Sequence, residues 1–181
     1  SGGDDSGMVG LKINEKYATL DTALAAAQYL RDNGINVVMT RDTYDKTISV
    51  PARAAMSNTI KPDLLTSVHY NASNGAGHGV EVFYEVKDKN GGITKTAATN
   101  VLNSILEKFN LRNRGIKTRI IETGKDQGKD YLGMLRLTDQ PAILVECAFL
   151  DNKTDAAMVD ELHERQAMGQ QIGKGIVNTL K

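Results

Sequence analysis

Ala142-Ile143-Leu144-Val145-Glu146-Cys147, with Pro141 before it and Ala148-Phe149 after it, is a continuous apolar run broken by one carboxylate. A short run of this kind reads as a strand buried on both faces, the pattern of a sheet covered by helices on either side. Glu146 is the anomaly in it. A buried carboxylate costs free energy unless it meets a metal, a cation or a raised pKa. The other reading is a carboxylate that accepts hydrogen bonds from nearby backbone or an arginine. The residues alone leave both open, because ion-pair networks perturb carboxylates as functional sites do.

Leu64 to Tyr70 reads as a second buried strand, and His69 sits near its end in Thr66-Ser67-Val68-His69-Tyr70-Asn71. His69 there is either a satisfied core histidine or a metal ligand, imidazole being the commonest metal-binding side chain. Val80 to Val86 alternates and reads as a strand after the Gly-rich turn at 75–79. Ile35 to Thr40 reads as another strand. Helices are expected from Asn14, a plausible cap, to about Asn33, from Ser49 and Pro51 to about Asn58, over Thr94 to Phe109, and near 153–162 and 165–180. Residues 1–10 and 111–130 read as loops, the latter rich in Arg, Lys and Gly, and Tyr131 to Leu137 as a short extended segment. Strands alternating with helices predict an α/β fold: a mostly parallel mixed sheet flanked by helices on both faces. In such sheets ligands sit outside the carboxyl ends of strands, where His69 and Glu146 both fall.

Composition narrows the chemistry. The 181 residues suit one domain, and the formal net charge of zero gives no global pointer to nucleic acid or an anionic membrane. No apolar run is long enough for membrane insertion. The opening Ser1-Gly2-Gly3, without Met, reads as a trimmed or mature fragment. One cysteine, Cys147, excludes a disulfide framework and a multi-cysteine zinc site, and its apolar strand makes it a core residue. A metal must then be held by carboxylates and the three histidines. His163 lies in a charged surface segment and His78 in an exposed turn. Glu15, in the first turn of the first helix, serves the helix dipole when read by itself. Arg114, Lys117 and Arg119 read as a solvated loop that could also meet substrate carboxylates.

Taken in order, these segments resemble the zinc-dependent N-acetylmuramoyl-L-alanine amidases of cell-wall turnover and phage endolysins. The pieces are Gly2-Gly3-Asp4-Asp5-Ser6-Gly7, Glu15-Lys16 with Leu20 and Ala23, and Thr40-Arg41-Asp42. After them come Arg53-Ala54-Ala55 with Asn58, Ser67-Val68-His69-Tyr70-Asn71, and Gly79-Val80-Glu81-Val82-Phe83-Tyr84. The set ends with Asn113-Arg114-Gly115 and Pro141 to Glu146 followed by Phe149-Leu150-Asp151-Asn152.

The resemblance implies that Glu15 and His69 bind Zn2+, that Glu146 is the catalytic acid/base, and that Asn71 and Arg114 contact substrate. It implies hydrolysis of the amide between the lactyl group of N-acetylmuramic acid and L-alanine in peptidoglycan, by an extracellular or cell-wall protein. Residues 1–181 are expected to form a single, monomeric catalytic domain without the family's first strand. Aligning the glycines puts Ser1 where a third ligand, a histidine, is implied. Three accounts follow: a shortened form of an active enzyme, an impaired amidase-like module that binds peptidoglycan, or substitution by His78.

Overall fold

Among the described residues the strand β4 (Ala142–Phe149) lies inside a four-stranded sheet of order β1-β4-β2-β3, with β1 at Leu65–Asn71, β2 at Val80–Tyr84 and β3 at Asn113–Lys117. The structure is a computed structural model and describes residues 10–181. β1 pairs with β4 in parallel and β2 with β3 in parallel, while β2 and β4 run antiparallel. Every β4 residue except Glu146 is buried, as its apolar run predicts for a strand with neighbours on both edges.

Helices cover both faces. On one, α1 (Glu15–Asp32), α3 (Ile93–Lys108) and α6 (Leu162–Leu180) pack on the main core, which includes Tyr70, Val80, Val82, Ile143 and Val145. Gly169 of α6 lets the helices close in, since a Cβ there would lie 2.2 Å from the Thr22 carbonyl oxygen. On the other face α2 (Val50–Ile60) packs against α4 (Gly133–Leu137), whose Met134 and Leu135 join Ala142 and Leu144 in a second, smaller core. Ser49 caps α2 by accepting from the Ala52 N–H, with Pro51 in the first turn. Among the described residues no helix is long and apolar enough to cross a membrane.

Several segments depart from the sequence expectation. Ile35 to Thr40 is not a strand. Among the described residues it pairs with nothing, and an apolar groove lined by Ala27, Leu30, Val37 and Val68 separates it from the outer edge of β1. Extended propensity without a hydrogen-bonding neighbour does not make a strand. The expected loop at 111–130 contains β3. Asn113-Arg114-Gly115-Ile116-Lys117 is polar because it pairs on one side only, as edge strands do, and Gly115 at φ 84 bends it. Tyr131 to Leu137 contains the short helix α4 rather than an extended strand, its two buried residues held against β4. The 153–162 helix shrinks to α5 (Lys153–Ala156), because the chain then unwinds to offer the Val159 and Asp160 carbonyls to Arg165. α6 starts at Leu162, ahead of the expected 165, where Glu161 and Glu164 form a capping box.

Candidate active site

Side chains on a strand alternate between faces, so cross-strand partners share one. His69 pairs with Glu146 across β1 and β4, and Glu81 pairs with Glu146 across β2 and β4. Three chemically active groups therefore stand in one row across the sheet. The row is on the face of Leu144 and Ala142, beyond the small core under α4.

α1 brings the fourth group. Its first residue, Glu15, is 6% exposed and places Oε1 3.0 Å from His69 Nδ1. Ser67 Oγ lies 3.0 Å from the other ring nitrogen, Nε2, so the imidazole is held from both sides. Arg41 braces the start of α1 by donating to the Lys16 carbonyl at 2.7 Å and to Thr19 Oγ1 at 3.0 Å. At the other side of the row, Glu81 accepts from Arg114 Nε at 2.7 Å and Lys117 Nζ at 2.5 Å, both on Oε2, and from Asn71 Nδ2 at 3.3 Å on Oε1. Burial pushes the Glu81 carboxyl up, but Lys117 and Arg114 outweigh it and hold the group below the ordinary glutamate value.

Glu146 is different in kind. Its Oε2 is buried and has no hydrogen-bond partner among the described residues. Burial pushes its pKa up to about 7, with His69 pulling down and Glu15 and Glu81 adding to the rise. Such a carboxyl takes and gives a proton near neutral pH, which general acid–base chemistry needs. The same shift has a stability consequence. An unfolded glutamate releases its proton near the ordinary value of 4.5, the folded one near 7, so the metal-free folded state binds the extra proton between them. Stability from this group is full below that window and falls as pH rises through it. Metal-free wild type is expected to lose about 3 kcal/mol relative to Glu146→Gln between about pH 4.5 and about pH 7.5. Denaturant titrations of both proteins at the two pH values check it.

The 72–79 loop above the row is tied to the end of β4. Asp151 Oδ2 accepts from the Ser73 and Gly75 N–H groups at 2.7 and 2.9 Å, and Asn152 Nδ2 donates to the Gly75 carbonyl at 3.1 Å. Buried Asp155 Oδ2 accepts from the Gly79 and Phe149 N–H groups at 2.6 and 3.0 Å. Asp155→Ala would strand two buried donors and is expected to cost about 2 to 4 kcal/mol, read from the shift in denaturation midpoint.

Of the residues singled out from sequence, Glu15, His69, Glu146, Asn71 and Arg114 converge. Arg119 does not, its guanidinium lying 3.8 Å from the Tyr131 ring centroid. His78 is on the tethered loop, His163 is exposed, and Cys147 is buried. Ser1 and the opening loop lie outside the described residues. Among the described residues no cluster of three or more His, Cys, Asp or Glu side chains is arranged for a metal. Glu81 was missed. Its signal was the one Glu146 gave, a carboxylate between apolar neighbours (Val80 and Val82), masked because a charge in an alternating strand reads as solvent-facing.

Comparison with known proteins identifies the family and the fold. The family model described as N-acetylmuramoyl-L-alanine amidase matches residues 1–178. The chain is 33% identical over 180 residues to the N-acetylmuramoyl-L-alanine amidase CwlM of Bacillus licheniformis, covering 99% of this chain and 64% of that protein. Among solved structures, Cwp6 from Clostridium difficile superposes with a TM-score of 0.94 at 61% identity, over 99% of this chain and 28% of that one. The catalytic domain of CwlV, N-acetylmuramoyl-L-alanine amidase from Bacillus (Paenibacillus) polymyxa var. colistinus, gives 0.82 at 27% identity, over 99% and 93%. The chain thus spans less than two thirds of the length of CwlM and of Cwp6.

Proposed function

The chain belongs to the N-acetylmuramoyl-L-alanine amidase family, and from that premise we propose that it hydrolyses, with zinc, the amide joining the lactyl group of N-acetylmuramic acid to L-alanine in peptidoglycan. The observation that carries the reading is Glu146: a buried carboxyl with an unpartnered oxygen and a pKa of about 7, in register with the His69–Glu15 pair.

Glu15 and His69 supply two of the three protein ligands that a catalytic zinc takes. A carboxylate and an imidazole nitrogen converge at 3.0 Å, and both are ordinary zinc ligands. Glu15 and His69 would hold the ion, with Ser67 on Nε2 orienting the ring so that Nδ1 faces Glu15. When bound, zinc supplies a Lewis acid that polarises the scissile carbonyl and lowers the pKa of water to about 7. The chain's own carboxylate moves the proton. Glu146 takes it from the attacking water as the C–O bond forms, then passes it to the alanine nitrogen as the C–N bond breaks. Asn71 and Arg114, both hydrogen-bonded to Glu81, bind the substrate beside that bond. On this reading residues 1–181 act as one catalytic domain at the cell wall.

A second reading is an amidase-like module that binds peptidoglycan without cutting it. It draws on Ser1, the residue at the implied third-ligand position. Incubation with purified sacculi separates the two. The amidase reading expects zinc-dependent, chelator-sensitive release of stem peptides. Sedimentation with sacculi and no released peptide, zinc present, would favour the module.

A further inference from the structure

The amidase chemistry uses Glu146, His69 and Glu15, with Asn71 and Arg114 on the substrate, and gives no role to buried Glu81 or to Lys117. Glu81 is 4% exposed and directly opposite Glu146 on the antiparallel ladder, where side chains lie roughly 5 Å apart. Two like charges so placed repel, so a carboxylate at this position is costly unless cations cover it. One cation would suffice for that. The structure supplies two, Arg114 and Lys117, both on the same oxygen, Oε2.

The corner therefore carries a net charge of about +1 next to Glu146, counting one carboxylate against two cations. It is also built to be rigid. The Arg114 guanidinium lies 4.9 Å from the Phe149 ring centroid and donates weakly to the His78 carbonyl at 3.5 Å. Among the described residues Arg114 Nη2 makes no hydrogen bond, and Lys117 spends one of its three donors. Both side chains stay partly open to solvent, at 26% and 37% exposed. Fixed, partly exposed donors with surplus positive charge are what a planar anion requires.

We propose that Glu81 fixes Arg114 and Lys117 as a carboxylate-binding corner that orients the peptide side of the substrate through an anionic group of the stem. This rests on the amidase reading, because it assumes that a peptide lies across Glu146. Glu81 is a positioning residue in it, while Arg114 and Lys117 touch the ligand.

The test compares two muramoyl peptides, one with its stem carboxylate free and one with it converted to the carboxamide, using the zinc-loaded full chain. Wild type is expected to favour the free carboxylate in kcat/KM by on the order of tenfold to a hundredfold, mainly through KM. Lys117→Gln and Arg114→Gln should each bring that ratio close to one. Glu81→Gln should lower it severalfold by releasing both cations. A role confined to stability would depress both substrates alike and leave the ratio intact. A wild-type ratio near one with both substrates cleaved overturns the corner and leaves the amidase reading standing. If neither substrate is cleaved, the amidase reading fails. Calorimetry with the two corresponding free stem peptides then decides the corner, equal affinities overturning it and a preference for the carboxylate that Lys117→Gln abolishes supporting it.

Discussion

Glu146→Gln is expected to lower turnover of a muramoyl-peptide amide by on the order of a thousandfold while zinc content stays at the wild-type level. Glutamine keeps the shape and one hydrogen-bonding oxygen but cannot carry the proton. The fold should survive, because the substitution removes a buried ionisable group that has no partner on Oε2 among the described residues. Dialysed protein assayed for bound zinc and for turnover separates the two effects. Full turnover in the variant would remove Glu146 from the proton path.

His69→Ala is expected to act on the metal instead. It deletes one of the two converging donors and leaves Glu15 without its imidazole neighbour. Zinc affinity should fall by at least about a hundredfold, since changing only a supporting contact to a ligand commonly costs ten- to a hundredfold. Competition against a metal-sensitive dye reads this directly, independent of catalysis. Unaltered affinity would place the zinc elsewhere. His69 is one quarter exposed, so its loss leaves no large buried cavity.

Much of this was legible in the sequence, for a physical reason. Glu146 and His69 sit in apolar strands, where a polar side chain stands out. Their adjacency follows once both strands lie side by side, since Val68 pairs with Val145 and His69 with Glu146. Glu15 was legible only through resemblance, because one acidic residue at a helix start reads equally well as a dipole partner. β3 was hidden by its polarity, which an edge strand tolerates, and α4 by its length, too short to show a helical period. Ile35 to Thr40 has the residues of a strand and no neighbour to pair with among those described. Glu81 escaped because its meaning lies in register. Only the antiparallel pairing of β2 with β4 turns an apparently exposed glutamate into the buried neighbour of Glu146.

The most direct measurement is hydrolysis of a defined muramoyl peptide in oxygen-18 water, with products weighed by mass spectrometry and the zinc-loaded protein run beside a chelated sample. Zinc-dependent attack of water on the lactyl carbonyl predicts one label in the lactyl carboxyl of the muramic acid, an unlabelled peptide with a free L-alanine amine, and neither product after chelation. Cleavage at any other amide, or an intact substrate in the presence of zinc-loaded protein, would contradict it.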